Sequence, residues 1–546
     1  MKELIFGLIG GTALLMYGVD KMGTGLEKAS GEMMRKILSV LTGKVWSAFL
    51  VGTFLTALVQ SSTAITVLTI GFVNAGLMKL PQAIGIIYGA NIGTTITAQL
   101  MAFSFRLELT DIALPVLGVG FAISLLSKNK TPKNFGDAVM GFGMMFLGLR
   151  ILNSGVPFMQ SNETLRFFFL NYASVPWIAI LLGIVATAAV HSSAATVGLV
   201  MVLGQAGLLD LSSAICVMFG DNIGTCITAQ LASVQGNVHA RRTAWAHTLY
   251  NIIGVLIAWI LLPWFTHIVA VATDYFQPGG DIAVQIANSH TIFNIFSAVV
   301  FLPLTKYYVK FLETVIRDRE EDQEVVPVFT DRLLLDTPIA AIKAAIAETA
   351  RTVGIARRMF EEVMEGFYRN DPAKLDQAER DEETLNDLQR QITQYIIELS
   401  KRPLSYKESA SVPTLIRGIN NVERIGDHSL SLSRLAHEKM EKNLVFSSEA
   451  IRDLREIQDM IFSMFDLTVK ALETGDKGAI AEVANLESRM DGLSKRVQEG
   501  HAKRLEDGRC TVESGLIFLD VVNYLERIAD HIYKVCEALG GLTAKM

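Results

Sequence analysis

Two kinds of short motif place hydroxyl, amide and glycine residues inside otherwise apolar sequence. One is Val59-Gln-Ser-Ser-Thr-Ala64, matched by Val190-His-Ser-Ser-Ala-Ala195; the other is Gly89-Ala-Asn-Ile-Gly-Thr-Thr-Ile-Thr-Ala-Gln-Leu100, matched by Gly220-Asp-Asn-Ile-Gly-Thr-Cys-Ile-Thr-Ala-Gln-Leu231. Together they gather Ser61, Ser62, Thr63, Ser192, Ser193, Asn91, Asn222, Thr94, Thr95 and Thr225 with almost no formal charge. Helix N-termini starting at breaks in such motifs would offer oriented N–H groups and a partial positive end to an oxyanion such as phosphate. Unwound carbonyls and Ser/Thr oxygens suit a small hard cation. No Arg or Lys lies in the motif segments, so a multiply charged anion would lack fixed counter-charge, and accompanying sodium ions would supply it. Asp221 stands where the first motif has Ala90. An acid within a membrane marks a functional site by default, here a cation ligand or gate, with local helix capping as the alternative. His191 replaces Gln60 and stands in for its amide, the other reading being a proton-sensitive step.

The motifs repeat in register. Ten of the twelve positions in the longer pair are identical, at an offset of 131 that also relates the shorter pair and maps Gly76-Leu77 onto Gly207-Leu208. Upstream, Met16-Tyr-Gly-Val-Asp20 lines up with Phe146-Leu-Gly-Leu-Arg150 at an offset of 130. Apolar stretches long enough to span a bilayer lie near 4–22, 109–127, 135–155, 244–265 and 290–312. Basic residues cluster in 21–44, in 128–133, at Arg241-Arg242 and after Lys306, whereas 263–289 has none. Placing the basic loops inside predicts an outside N-terminus, with 106–111, 156–175 and 263–289 also outside. The two units then run in opposite senses, an inverted-topology repeat as in secondary transporters. The simplest geometry makes 45–76 and 176–206 re-entrant hairpins with the Ser-Ser motifs at their tips. The segments 81–105 and 213–237 then cross once each, broken at Asn-Ile-Gly-Thr.

Composition separates the chain into two halves. Residues 45–78 contain no Asp, Glu, Lys or Arg, and 177–238 contain only Asp210 and Asp221. From Lys306 onward the sequence is charge-rich, as in Arg317-Asp-Arg-Glu-Glu-Asp322. The formal charge of −6 over 546 residues therefore describes neither half. Nothing points to nucleic acid as a partner. The four cysteines have no paired spacing, so no disulfide or zinc framework is readable, and the N-terminal apolar run reads as a first membrane helix without a cleavage site. No nucleophile–base set or phosphate loop with a catalytic Lys argues for an enzyme. Two His-Thr-x-x-Asn elements, beginning at His247 and His290, set His and Asn one turn apart. They are expected to hydrogen-bond between helices, the alternative being direct ligand contact.

Residues 336–546 show helical periodicity with breaks near 370–372, 402–403, 442–448, 475 and 506–508, predicting six helices in two groups of three. Val422-Glu-Arg-Ile-Gly-Asp-His428 matches Leu525-Glu-Arg-Ile-Ala-Asp-His531 at an offset of 103. Glu423 with Asp427, and Glu526 with Asp530, share helix faces four residues apart, so something must compensate their repulsion. Arg424 and Arg527 would do so structurally; a bound divalent or iron ion is the other possibility.

The first 312 residues resemble the type II sodium/phosphate cotransporter family, whose signature is a repeated Gln-Ser-Ser motif. That resemblance implies sodium-coupled phosphate transport across a bacterial inner membrane. Phosphate would bind at Gln60, Ser61, Ser62, Thr63, His191, Ser192 and Ser193 with Asn91 and Asn222 behind them, and sodium among Thr94, Thr95, Asp221, Thr225, Ser62 and Ser193. His191 and Ala194 depart from the family's usual second motif. Residues 336–546 resemble the PhoU family of two three-helix repeats, whose metal motif carries an Asn where this chain has Ser431 and Lys534. The expected fold is all-α: a polytopic membrane protein with inverted repeats and re-entrant hairpins, and a cytoplasmic helical bundle. The boundaries are 1–134 for unit 1, 135–265 for unit 2, 266–312 for an extracellular loop and final helix, 313–335 for a linker, and 336–546 for the PhoU-like domain. Two rival readings are a phosphate exporter of the same fold and a membrane phosphate sensor.

Overall fold

A computed structural model describes residues 2–29, 44–106, 109–234, 236–317 and 329–545. It is helical throughout, with no strand among the described residues, as a chain with helix-period apolar faces and a bilayer as solvent must be. Parts of the basic stretch 21–44, of the 106–111 loop and of the linker lie outside the described residues. The chain divides into two bodies, one drawn from 1–74 and 78–318 and the other from 319–546 together with the short turn Ala75–Leu77.

In the first body, helix α1 (Lys2–Ala29) is followed by α2 (Val45–Val59), α3 (Ser62–Asn74), α4 (Leu80–Arg106), α5 (Ala113–Leu126) and α6 (Lys130–Ser154). After short helices in 156–173 come α7 (Pro176–Val190), α8 (Ser193–Gln205), α9 (Leu211–Gly224), α10 (Cys226–Ser233), α11 (Val238–Ile260), α12 (Leu262–Phe276) and α13 (Ile282–Val315). Four stretches among the described residues are long and apolar enough to cross a membrane: Lys130–Ser161, Leu211–Ser233, Val238–Ile260 and Ile282–Val315. Large apolar side chains point outward on the helices of this body, with Leu126 of α5, Ile260 of α11 and Trp264 of α12 each more than 70% exposed. In water such a surface would aggregate; in lipid it is the favoured one. Arg150, on the side threaded as outside, lies 3.8 Å from Asp111.

The sequence repeat is matched position by position in the backbone. Gln60 (φ 58°) and His191 (φ 55°) both adopt the left-handed conformation that ends α2 and α7, and Gly76 and Gly207 turn the chain at φ 65° and 67°. Within each unit the hairpin's first arm lies against the motif helix at backbone contact. A Cβ on Gly89 would fall 2.0 Å from the Phe49 carbonyl, and one on Gly220 would fall 2.0 Å from that of Ile180. These pairs are themselves related by 131. Glycine is therefore required at both crossings. Between units, α1 and α6 pack through Gly11, Gly18, Gly141 and Gly148.

Three expectations change. The Asn-Ile-Gly-Thr motif does not break its helix in unit 1, where α4 runs uninterrupted through Asn91–Thr94; in unit 2 α9 and α10 part at Thr225, inside the motif, with the backbone still right-handed (φ −59°, ψ −26°). The motifs' glycines serve the close crossing. The sharp reversals fall at the hairpin tips. The stretch 263–289, expected as a loop, is helical over Leu262–Phe276 and again from Ile282; its polar residues cap these helices, Asp281 accepting from the Val284 amide. Finally, α13 continues to Val315, past the boundary placed at 312.

The second body contains six long helices among its described residues: α14 (Pro338–Arg369), α15 (Pro372–Ser400), α16 (Tyr406–Glu441), α17 (Ser448–Thr474), α18 (Lys477–Glu506) and α19 (Val512–Val535). The starts follow local chemistry, with proline in the first turn of α14 and α15 and a Ser405–Glu408 capping box on α16. Asn370 and Gly475 end α14 and α17 in the left-handed conformation. Each group of three packs on its own apolar faces, and α16 and α19 join the groups.

Candidate functional site

The left-handed residues Gln60 and His191 let each hairpin reverse within two residues. Helices α3 and α8 then begin immediately, at Ser62 and Ser193. Ser61 Oγ accepts from the Ala64 amide (3.2 Å) and Ser192 Oγ from that of Ala195 (3.3 Å), so each cap satisfies one of the orphan donors of its first turn. The remaining first-turn amides belong to residues 62–63 and 193–194. Both tips line one cavity of about 630 Å³, which contains Gln60, Ser61, Ser62, Thr63, His191, Ser192 and Ser193. Gln60 is held by Thr97, whose hydroxyl donates to its Oε1 at 2.7 Å, and by donation of its own amide to the Ala57 carbonyl. Among the described lining residues there is no Lys or Arg, while Asp20 and Glu27 of α1 are present.

Behind the tips lies a second, much smaller chamber of about 10 Å³, lined by Ser62, Asn91, Thr94, Ser193, Asp221, Asn222, Thr225 and His290. Ser62, Thr94 and Ser193 line both spaces and so form the wall between them. The inner volume is about that of a single water-sized sphere, which admits a dehydrated cation and no tetrahedral anion. Its polar groups are aimed inward by bonds on their far sides. Asn91 donates from Nδ2 to Asn251 Oδ1 (3.1 Å) and Asn222 donates to the Met218 carbonyl (3.0 Å), leaving both amide oxygens as acceptors. Asp221 is fully buried; Oδ1 accepts from Thr187 at 2.7 Å, and Oδ2 has no partner. Thr94 Oγ1 and His290 Nδ1 are likewise buried without partners. Three orphaned polar atoms around one cavity imply a ligand there, because leaving them unpaired costs on the order of 1–3 kcal/mol each.

Most of the residues expected from sequence thus meet, in two adjoining compartments. Asn91 and Asn222 sit with the cation-sized chamber, apart from the tips' main cavity. Thr95 is not among the described residues lining either space; its hydroxyl donates to the Ile92 carbonyl (2.8 Å). Sequence reasoning missed Thr97, Thr187, Asp20, Glu27 and the place of His290. Thr187 carried a signal, since the 131 offset pairs it with Thr56 in a motif-bearing hairpin. Of the His-Thr-x-x-Asn elements, Asn251 bonds between helices, accepting from Asn91, and the threonines accept from Gln99 (Thr291, 2.9 Å) and Gln230 (Thr248, 2.6 Å). The histidines do not bond as expected, since both His247 ring nitrogens and His290 Nδ1 are buried without partners, and Asn294 donates within its own helix to the His290 carbonyl. His290 additionally reaches the chamber.

In the second body the expected metal residues are occupied by basic side chains. Arg424 lies 3.7 Å from Glu423 and 3.4 Å from Asp427, and Lys534 Nζ donates to Asp530 at 2.6 Å. Partial burial, and then Asp427, raise the Glu423 carboxyl's pKa. No group of three or more His, Cys, Asp or Glu side chains is placed to hold a metal among the described residues. Glu423, Asp427, Glu526 and Asp530 therefore do not fit a metal centre: Lys534 stands where the family's Asn would ligate and brings its own charge.

An all-helical chain with membrane-length apolar helices, a duplicated hairpin-and-helix sequence unit and a helical-bundle domain is a polytopic membrane transporter with an appended helical domain. It belongs to the Na+/Pi-cotransporter family, which it matches over 14–154 and 159–272, with PhoU domain matches over 350–436 and 454–539. YqeW of Bacillus subtilis, whose name carries no function, is 32% identical over 57% of this chain and 98% of its own length. YjbB of Escherichia coli, whose name describes inorganic phosphate export, is 27% identical over 95% of this chain and 94% of its own. The rat sodium-dependent phosphate transport protein 2A is 31% identical over 19% of this chain and 17% of its own length.

Proposed function

We propose that the chain is a sodium-coupled symporter of inorganic phosphate in the bacterial plasma membrane. Phosphate binds between the hairpin tips, at Gln60, Ser61, Ser62, Thr63, His191, Ser192 and Ser193. Sodium occupies the chamber behind them, among Ser62, Ser193, Thr94, Thr225, Asn91, Asn222 and Asp221. The observation that carries this reading is the convergence of two helix N-termini on one cavity with no lysine or arginine among its described lining residues, backed by a cation-sized chamber holding a buried carboxylate. The N-termini favour an oxyanion. The carboxylates favour a cation, so each ion improves the site for the other. That mutual dependence is coupling. Inverted topology would let the site open alternately to each side, and the PhoU-like domain would regulate transport from the cytoplasm.

An export reading is favoured by one observation, the alignment with YjbB over nearly the whole chain. It shares the same site and differs in the direction that the ion gradients impose.

Removing one serine hydroxyl deletes a partner of a charged ligand, worth on the order of 1.5–3 kcal/mol. Ser62→Ala and Ser193→Ala are each expected to weaken equilibrium binding of labelled phosphate, measured in sodium, by roughly ten- to a hundredfold. If both variants bind as the parent does, the tips are packing devices.

A further inference from the structure

Among the buried positions at which the duplicated units differ, one carries a carboxylate in unit 2 alone. In unit 2, Thr187 Oγ1 lies 2.7 Å from Asp221 Oδ1 and 2.8 Å from Thr196 Oγ1. A carboxylate only accepts and a hydroxyl has a single proton, so Thr187 donates to Asp221 and accepts from Thr196. Its equivalent in unit 1 is Thr56, also buried, which faces the unit bearing Ala90 in place of Asp221 and whose hydroxyl has no partner. The two threonines are otherwise packed alike. A Cβ on Gly224 would fall 2.8 Å from Thr187 Cβ, and one on Gly93 would fall 2.7 Å from Thr56 Cβ.

We propose that Thr187 is a positioning residue for the coupling cation: it fixes Asp221 through Oδ1 so that the unpartnered Oδ2 serves the chamber as a ligand. This rests on the reading that Asp221 holds the coupling ion. Without the donor, the carboxylate keeps its burial but loses its fixed rotamer, and the cation must order it on binding. Thr196 acts one step further out, by directing the Thr187 proton toward Asp221. Unit 1 retains the threonine and has lost the acid, so the duplicated architecture carries its carboxylate on one side only.

The symmetry supplies its own control. Valine is isosteric with threonine, so Thr187→Val removes the donor without opening a cavity, and Thr56→Val makes the same change where no acid awaits. In proteoliposomes of the full chain at fixed pH, Thr187→Val is expected to raise the sodium concentration for half-maximal phosphate uptake roughly tenfold, about 1.4 kcal/mol. Phosphate half-saturation at saturating sodium stays that of the parent. Thr187→Ser restores sodium affinity, and Thr56→Val leaves it unchanged. A Thr187→Val protein with the parent's sodium requirement, or a shift equal to that of Thr56→Val, overturns the proposal; if either valine variant fails to insert, the Thr187→Ala and Thr56→Ala pair is read by the same criteria. Asp221→Asn separates the two levels. If it leaves the sodium requirement unchanged, the sodium reading itself falls; if it raises the requirement while Thr187→Val does not, only the positioning role falls.

Discussion

Side chains in this protein take their roles from what stands on their far side. Asn91 and Asn222 present oxygens to the chamber because their amide nitrogens are engaged elsewhere, and Asp221 presents one oxygen because Thr187 holds the other. The same logic governs the histidine pair of the second body. His428 and His531, equivalent in the two Glu-Arg-Ile-x-Asp-His repeats, stack with ring centroids 5.3 Å apart, and His531 Nδ1 lies 2.8 Å from Asn421 Oδ1. Burial, and then the neighbouring His428, push the His531 pKa down to about 4; burial, and then Arg527, lower that of His428. The unfolded chain takes up these protons near pH 6.5 while the folded domain does not. Its stability is therefore full above pH 6.5 and declines as the pH falls from there toward about 4. Hydrogen exchange in α16 and α19 of the full chain, corrected for intrinsic rates, is expected to be faster at pH 5 than at pH 7.5, and His531→Asn should flatten the difference. Equal protection at both values would refute the coupling. Sequence showed the duplication of these histidines and of the Ser-Ser tips. It did not show which atoms would be left unpaired, because that depends on α11, which lies beyond the motifs, and on α13, which arrives from outside the repeat.

At the scale of elements, the hairpins were legible because Gln60-Ser61 and His191-Ser192 interrupt apolar runs too short to span twice. The helix through Asn91-Ile-Gly-Thr94 was misread as broken for a physical reason. Glycine signals either a bend or a close approach, and only the packing partner distinguishes them; here Gly89 and Gly220 meet the carbonyls of Phe49 and Ile180. The six helices of the second body followed from caps and breakers, where local chemistry decides. Opposite orientation of the two units is the element-level claim still to be tested. A cysteine replacing Asp111 should label with an impermeant reagent from outside, and one replacing His239 only after permeabilisation. Labelling of both from one side would remove the inverted repeat.

For the molecule as a whole, the division near residue 318 matches the change in composition, since a lipid-facing surface and a charged one cannot share a solvent. Under the proposed function, the cation-sized chamber and the cavity beside it hold the two coupled ions. Each ion lowers the electrostatic cost of the other, so neither should cross alone at an appreciable rate. The most direct test is flux of labelled phosphate in proteoliposomes of the full chain with an imposed sodium gradient. Phosphate is expected to accumulate down the sodium gradient, to reverse direction when the gradient is reversed, and to cease when potassium replaces sodium on both sides. Phosphate flux of equal rate and extent without sodium would contradict the account.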